Sequence, residues 1–214
     1  EILSEKGMSV DEDRFRALVL QQRETARASR KNAGADAWAG DSDVLDDIAK
    51  TEFVGYTDMK ATAKVTAIVK DGARVEAVET GDDIVFTLDR TSFYAESGGQ
   101  VGDTGVITND SCTIRVLDTT KNAAGVFIHK AVVEEGFLRE GDTVEAVVDV
   151  ERRRAIMRNH TAAHLLQAAL RSVLGDHVEQ AGQLVNENAV RFDFTHFSAV
   201  TPEELRRLIR VSPR

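Results

Sequence analysis

At 214 residues, 42% hydrophobic and 29% charged, the chain has an ordinary globular composition and suits one large domain or two small ones. Its net charge of −9 argues against a general nucleic-acid coat, so any phosphate contact must come from a local basic patch. The single cysteine, Cys112, excludes an internal disulfide framework and fits a reducing cytosol. With no secretory leader pattern at the start and no long apolar run, a cytoplasmic protein without a membrane span is expected.

Residues 9–31 read as a helix. Ser9 and Glu12 form an S-x-x-E capping box, and Phe15, Leu18, Val19 and Gln22 follow on one stripe. "KNAGADAWAGDSD" breaks the pattern as a linker, and "DVLDDIAK" reads as one short helix. From about residue 52 to 149 the character turns to strands. "ATAKVTAIVKDGARVEAVE" alternates around an Asp71–Gly72 turn, a strong hairpin signal. "DDIVFTLDR", "CTIRVLDTT", "GVFIHKAVVE" and "DTVEAVVDV" continue it, and turn residues at regular spacing point to a small β-barrel. Residues 150–174 read as a long helix ended by Gly175. "HVEQAGQLV" and "AVRFDFTHF", joined at Asn186–Asn188, form a hairpin. Thr201, Pro202 and Glu204 then open a last helix as cap, first position and third position. The fold class is α+β: a helical segment at 1–44, a barrel at 45–149, and at 150–214 a helix–hairpin–helix part cut short at its C-terminus. The ends "EILSEKG" and "IRVSPR" read as those of a piece of a longer protein.

Three stretches carry chemistry. In "RNHTAAHLLQAAL", His160 and His164 lie four apart, which puts both imidazoles on one helical face. That spacing serves two ligands of one zinc ion, or two ordinary helix residues. Two ligands do not make a zinc site, which takes three or four. Cys112 is distant in sequence, and His129, His177 and His196 read as surface or packing residues. The second stretch, "TSFYAESGGQVGDTG", sets Glu96 and Gln100 around the Gly98–Gly99 pair, denser in ligand-like groups than a connection needs. It lacks the phosphate-loop pattern. The third, "VEQAGQLVNENAVRFDF", offers Gln180 and Gln183 either as solvent-facing strand positions or as pocket groups. Arg152, Arg153, Arg154 and Arg158 form a basic run, either a solvated face or a contact for a phosphate backbone.

Taken in order and at this spacing, "FYAESGGQVGDTG", "RNHTAAHLLQAALRSVLGDHVEQAGQLV" and "VRFDF" resemble the editing region of bacterial-type alanyl-tRNA synthetases over roughly residues 45–214. The helical segment 1–44 resembles the end of that family's preceding tRNA-recognition part, and 150–214 the first part of its editing core. The resemblance implies an ester hydrolase for mischarged Ser-tRNA(Ala) and Gly-tRNA(Ala). It gives catalytic roles to Gln180, Glu96 and Gln100, and substrate contacts to Thr91, Ser97, Gly98, Gly99 and Arg158. It makes His160 and His164 two of four zinc ligands, the other two belonging to a Cys-x-x-x-His beyond residue 214. Zinc is thus implied for the full-length protein, and tight binding by these 214 residues alone is not expected. ATP and magnesium belong to an aminoacylation domain that this chain lacks. The implied partner is the acceptor end of tRNA(Ala), with no DNA or membrane, and a dimer contact is expected at the truncated C-terminal surface. Gln183 departs from the Ser of many relatives. Two other readings stay open: a free-standing trans-editing deacylase, against which the helical segment argues, and a non-catalytic RNA-binding module.

Overall fold

The computed structural model describes residues 14, 43–45 and 47–211. Apart from residue 14, the expected helix over 9–31 and the linker after it lie outside the described residues. Within "DVLDDIAK", expected as a short helix, the described residues show a 3-10 turn at Asp43–Leu45, with Leu45 buried.

Ten strands follow: β1 (Glu52–Phe53), β2 (Lys60–Lys70), β3 (Ala73–Arg74), β4 (Ala77–Glu79), β5 (Asp83–Leu88), β6 (Arg90–Thr91), β7 (Gly105–Asn109), β8 (Cys112–Lys121), β9 (Phe127–Arg139) and β10 (Thr143–Val148). Six of them are antiparallel neighbours in the order β2–β5–β9–β8–β7–β10, and β10 pairs back onto β2, Val144 opposite Ala63. The sheet closes, so the barrel strands leave no long free edge. The interior follows from period-two alternation. On β10, Val144, Ala146 and Val148 point inward while Thr143 and Glu145 stay exposed. Ile68, Ile84, Phe86, Leu88, Ile107 and Ile114 are fully buried in the same core. Each such side chain contributes roughly 1.5–3 kcal/mol of burial.

The Asp71–Gly72 turn joins β2 and β3, with φ of 51° and 75° at its two central residues. Positive φ at both positions is the type I′ pattern that suits strand twist, which is why Asp-Gly sits there. Among the six strands of the closed barrel, the one that the sequence pattern does not reveal is β7. Only Ile107 of its five residues is buried, so its alternation carries little signal. Without it β8 and β10 would not be bridged.

Beyond the barrel come α1 (Val150–Leu174), β11 (Gln180–Val185), β12 (Val190–Phe194) and α2 (Pro202–Val211). The Asp149 side chain caps α1 by accepting from the Arg152 amide at 3.0 Å, and Gly175, at φ 114°, ends it. The expected hairpin is β11–β12, whose turn is held by Asn186 Oδ1 accepting from the amides of Asn188 and Ala189. Thr201 and Glu204 form a reciprocal capping box on α2. On α1, Ile156 and Ala163 pack with Val101, Val185 and Val190, while Ala169 and Leu170 further along pack with Val178 and Leu208. One face of α1 thus carries the hairpin and α2. No helix among the described residues is long and apolar enough to cross a membrane.

Candidate functional site

The Gly-rich stretch is a tight turn pressed onto the hairpin. Ser97 and Gln100 exchange backbone hydrogen bonds at 3.0 and 3.1 Å, and Gly98 and Gly99 between them have φ of 60° and 80°. Those values again fit a type I′ turn, which glycine enters without the penalty that a Cβ brings. Gly99 has a second reason: a Cβ there would stand 2.4 Å from the Gln183 carbonyl oxygen. The turn can approach β11 so closely only because that atom is missing. The Val185 amide donates to Gly99 O at 2.7 Å and the Val101 amide to Val185 O at 3.1 Å. The Gln183 side-chain amide donates to Gly98 O at 2.6 Å. Gln183 therefore has a structural role as a strap across the turn, a role the sequence does not reveal.

This docking points Gln100 at α1. Gln100 is buried, and its Oε1 accepts from His160 Nδ1 at 2.7 Å. With a carbonyl oxygen as partner, Nδ1 is the donor and carries a proton. His164 lies one turn further on, its ring centroid 5.1 Å from that of His160 and the planes tilted by 47°. Two imidazoles in this arrangement suit half of a zinc sphere. Among the described residues there is no cluster of three or more His, Cys, Asp or Glu that could hold a metal.

The long helix is fixed to the barrel by Arg153, one of the basic run and the residue two turns before His160. Its guanidinium pairs with the carboxylate of Asp103 and also donates to Gly55 O and Ser92 O, both at 2.9 Å. Asp103 accepts in addition from the Tyr94 amide at 2.7 Å. Arg153 is 5% exposed and Asp103 1%, so this member of the run is neither solvated nor free for phosphate. Arg152 reaches Gly102 O at 2.8 Å and Glu187 at 3.2 Å. Of the four arginines of the run, only Arg154 and Arg158 are exposed and in no ion pair among the described residues. The signal that separates them lies in the helix period. Arg153 falls on the stripe of Ile156, His160 and Ala163, whereas 154 and 158 fall off it.

The structure brings Gly98, Gly99, Gln100, Gln183 and His160 into one contact set. Ser97 belongs to the same turn. Glu96 is exposed beside it, anchored by its amide to Thr119 O at 2.8 Å. Gln180 opens β11 opposite Phe194, exposed, with no side-chain hydrogen bond among the described residues. Thr91 does not open to this set. It is fully buried, its hydroxyl 3.0 Å from His129 Nε2 and accepting from the Phe93 amide at 3.2 Å, so no part of its side chain is offered to a ligand. His129 is a packing residue: it stacks on Phe86, and burial pushes its pKa down to about 4. His177 and His196 meet each other at 2.9 Å beside Phe197. Burial also raises the Tyr94 phenol above its usual range.

The family model described as tRNA synthetases class II (A) matches residues 1–152, and the chain belongs to that family. Within that class the similarity is to alanine–tRNA ligases. The relative from Acetivibrio thermocellus is 49% identical over 207 residues, 96% of this chain and 24% of the relative. The one from Thermoanaerobacter sp. is 48% identical over 209 residues, 97% of this chain and 24% of the relative. The one from Synechococcus elongatus is 46% identical over 208 residues, with the same two shares. The chain spans about a quarter of the length of the curated relatives it matches. All but the first three residues of the helix–hairpin part lie beyond the family match, while the relatives match 96–97% of the chain.

Proposed function

We propose that this chain carries the part of an alanine–tRNA ligase that hydrolyses Ser-tRNA(Ala) and Gly-tRNA(Ala). The observation that carries this reading is the buried Gln100 side chain bonded to His160 Nδ1 at 2.7 Å, from a glycine turn strapped to β11. A mere connection has no need of a buried amide aimed at a histidine on another element. The physical need is general. A pocket shaped for alanine cannot exclude glycine by size, and an apolar pocket rejects serine only weakly. A second site must then remove the wrong ester.

In this reading the turn from Glu96 to Gln100 forms one wall and Gln180 a polar group of the pocket, able to pair with the serine hydroxyl that alanine lacks. Ser97, Gly98 and Gly99 offer backbone groups to the aminoacyl ester, and Arg158 faces the phosphates of the acceptor end. Gln100 holds the His160 ring in one tautomer. A zinc ion, when bound by His160, His164 and two ligands from outside the described residues, would supply a Lewis acid or an anchor for the 3′ end. The reaction is water attack on the ester carbonyl, releasing free serine or glycine and the tRNA 3′ ribose hydroxyl.

The test is deacylation of Ser-tRNA(Ala) by a protein that contains this chain together with a Cys-x-x-x-His pair. Hydrolysis is expected, with Gln180→Ala and His160→Ala each slowing it about a hundredfold or more, the scale seen when one polar transition-state contact is removed. A protein that binds zinc and tRNA but leaves the ester intact refutes the reading and makes the barrel an RNA-binding module.

A further inference from the structure

We infer that the cleft between Tyr56 and His160 seats the terminal adenine of an unpaired tRNA 3′ end, with the Tyr56 ring as its stacking platform. This rests on the hydrolase reading above, because the ester to be cleaved sits on the ribose of that terminal nucleoside. The base must then lie within one nucleoside of the group that meets the ester.

The cleft holds about 340 Å³ and is lined by Tyr56, Met59, Tyr94, Gln100, Met157 and His160, among others. That volume takes a nucleoside and is at the low end for ligand pockets. Tyr56 is 87% exposed, a large ring left in water at the cleft rim. It is nevertheless held. The Phe53 ring meets it edge-on at 5.0 Å, and Phe53 itself stacks on Phe127 at 5.3 Å. Below it, a Cβ on Gly55 would stand 2.2 Å from Ser92 O, so the turn lies flat on the barrel, and Gly55 O accepts from Arg153. Met157, half exposed, lies on α1 three residues before His160. The cleft thus has an aromatic plate at one side, a thioether at another, and the Gln100–His160 pair among its lining. An unpaired base is the ligand that matches this: its faces stack on an aromatic ring, while a paired stem presents no free face. Arg154 and Arg158, exposed and without ion pairs among the described residues, stand on the same helix for the phosphates that precede the terminal base.

The experiment has two arms. In the first, adenosine 5′-monophosphate and ribose 5-phosphate are titrated into this chain while the Met157 methyl and Tyr56 ring NMR signals are followed. The nucleotide shifts both and the ribose phosphate neither. Tyr56→Ala weakens nucleotide binding about tenfold, and Tyr56→Phe leaves it within about twofold. Equal binding of the two probes, or unchanged binding by Tyr56→Ala, overturns the inference. In the second arm, Ser-tRNA(Ala) deacylation is followed in an alanine–tRNA ligase containing this chain, where Tyr56→Ala raises KM about tenfold with a smaller change in kcat. Deacylation indifferent to Tyr56→Ala refutes the base seat and leaves the hydrolase. An intact ester beside Tyr56-dependent nucleotide binding refutes the hydrolase and leaves the base seat.

Discussion

Replacing Arg153 with methionine keeps the length and packing of the stem and removes the charge. Asp103, 1% exposed, then keeps only the Tyr94 amide as partner, and Gly55 O and Ser92 O each lose a donor. Breaking one side of a buried ion pair costs about 3–5 kcal/mol, because the remaining charge stays desolvated. For a unit of this size each kcal/mol lowers the melting temperature by about 2–4 °C, so a fall of roughly 6–20 °C is expected by calorimetry or circular dichroism. Arg153→Lys keeps the charge but loses the fork that reaches three partners at once, and falls between the two. The double variant Asp103→Asn with Arg153→Met removes the stranded charge and recovers more than half of the loss. The reasoning fails if Arg153→Met melts within about 2 °C of the parent, or if the double variant is no better than the single one.

Two further outcomes follow from groups already described. His129 is buried neutral, with its pKa pushed down to about 4 from 6.5 by burial. The unfolded chain therefore binds the extra proton first, so this contribution is complete above about pH 6.5 and falls as the pH drops toward 4. Between pH 6.5 and 5 the expected loss is about 2 kcal/mol at 1.36 kcal/mol per pH unit, read from urea unfolding. His129→Gln should flatten that slope, and an unchanged slope in the variant counts against the assignment. Gly98 and Gly99 differ in what a methyl would meet: nothing within 4 Å at Gly98, the Gln183 carbonyl at 2.4 Å at Gly99. Gly98→Ala should cost about 1–2 kcal/mol from positive φ alone, and Gly99→Ala about 1–3 kcal/mol more from overpacking. Similar unfolding midpoints for the two would show that the turn is not pressed onto β11.

Much of this architecture is legible in the residues because local rules and tertiary packing agree. The Asp71–Gly72 hairpin, the long helix ended by Gly175 and the Thr201–Glu204 box appear where turn and capping chemistry put them. The strand β7 is hidden because a barrel wall with one buried residue in five leaves almost no alternation to read. The site is legible in part. Gln100 and His160 stand out by type and do meet. The buried Arg153 does not stand out, since three consecutive arginines read as surface, and only the helical phase of the middle one tells otherwise. Thr91 sits at the mouth of the Gly-rich stretch in sequence, but strand pairing with β1 turns it into the barrel, where it meets His129. The strap role of Gln183 is not legible from type, because its partner is a backbone carbonyl 85 residues away.

The grip of Arg153 on the barrel also makes α1 a ruler. Seven residues, or two turns, separate the guanidinium from the His160 ring, and an α-helix turns by about 100° per residue. One residue inserted or deleted in that interval would swing the imidazole off Gln100 by about a quarter turn or more, whichever residue it was. Substitution at the outward positions Arg154 and Arg158 leaves the phase untouched. Length in this interval is therefore held more tightly than identity.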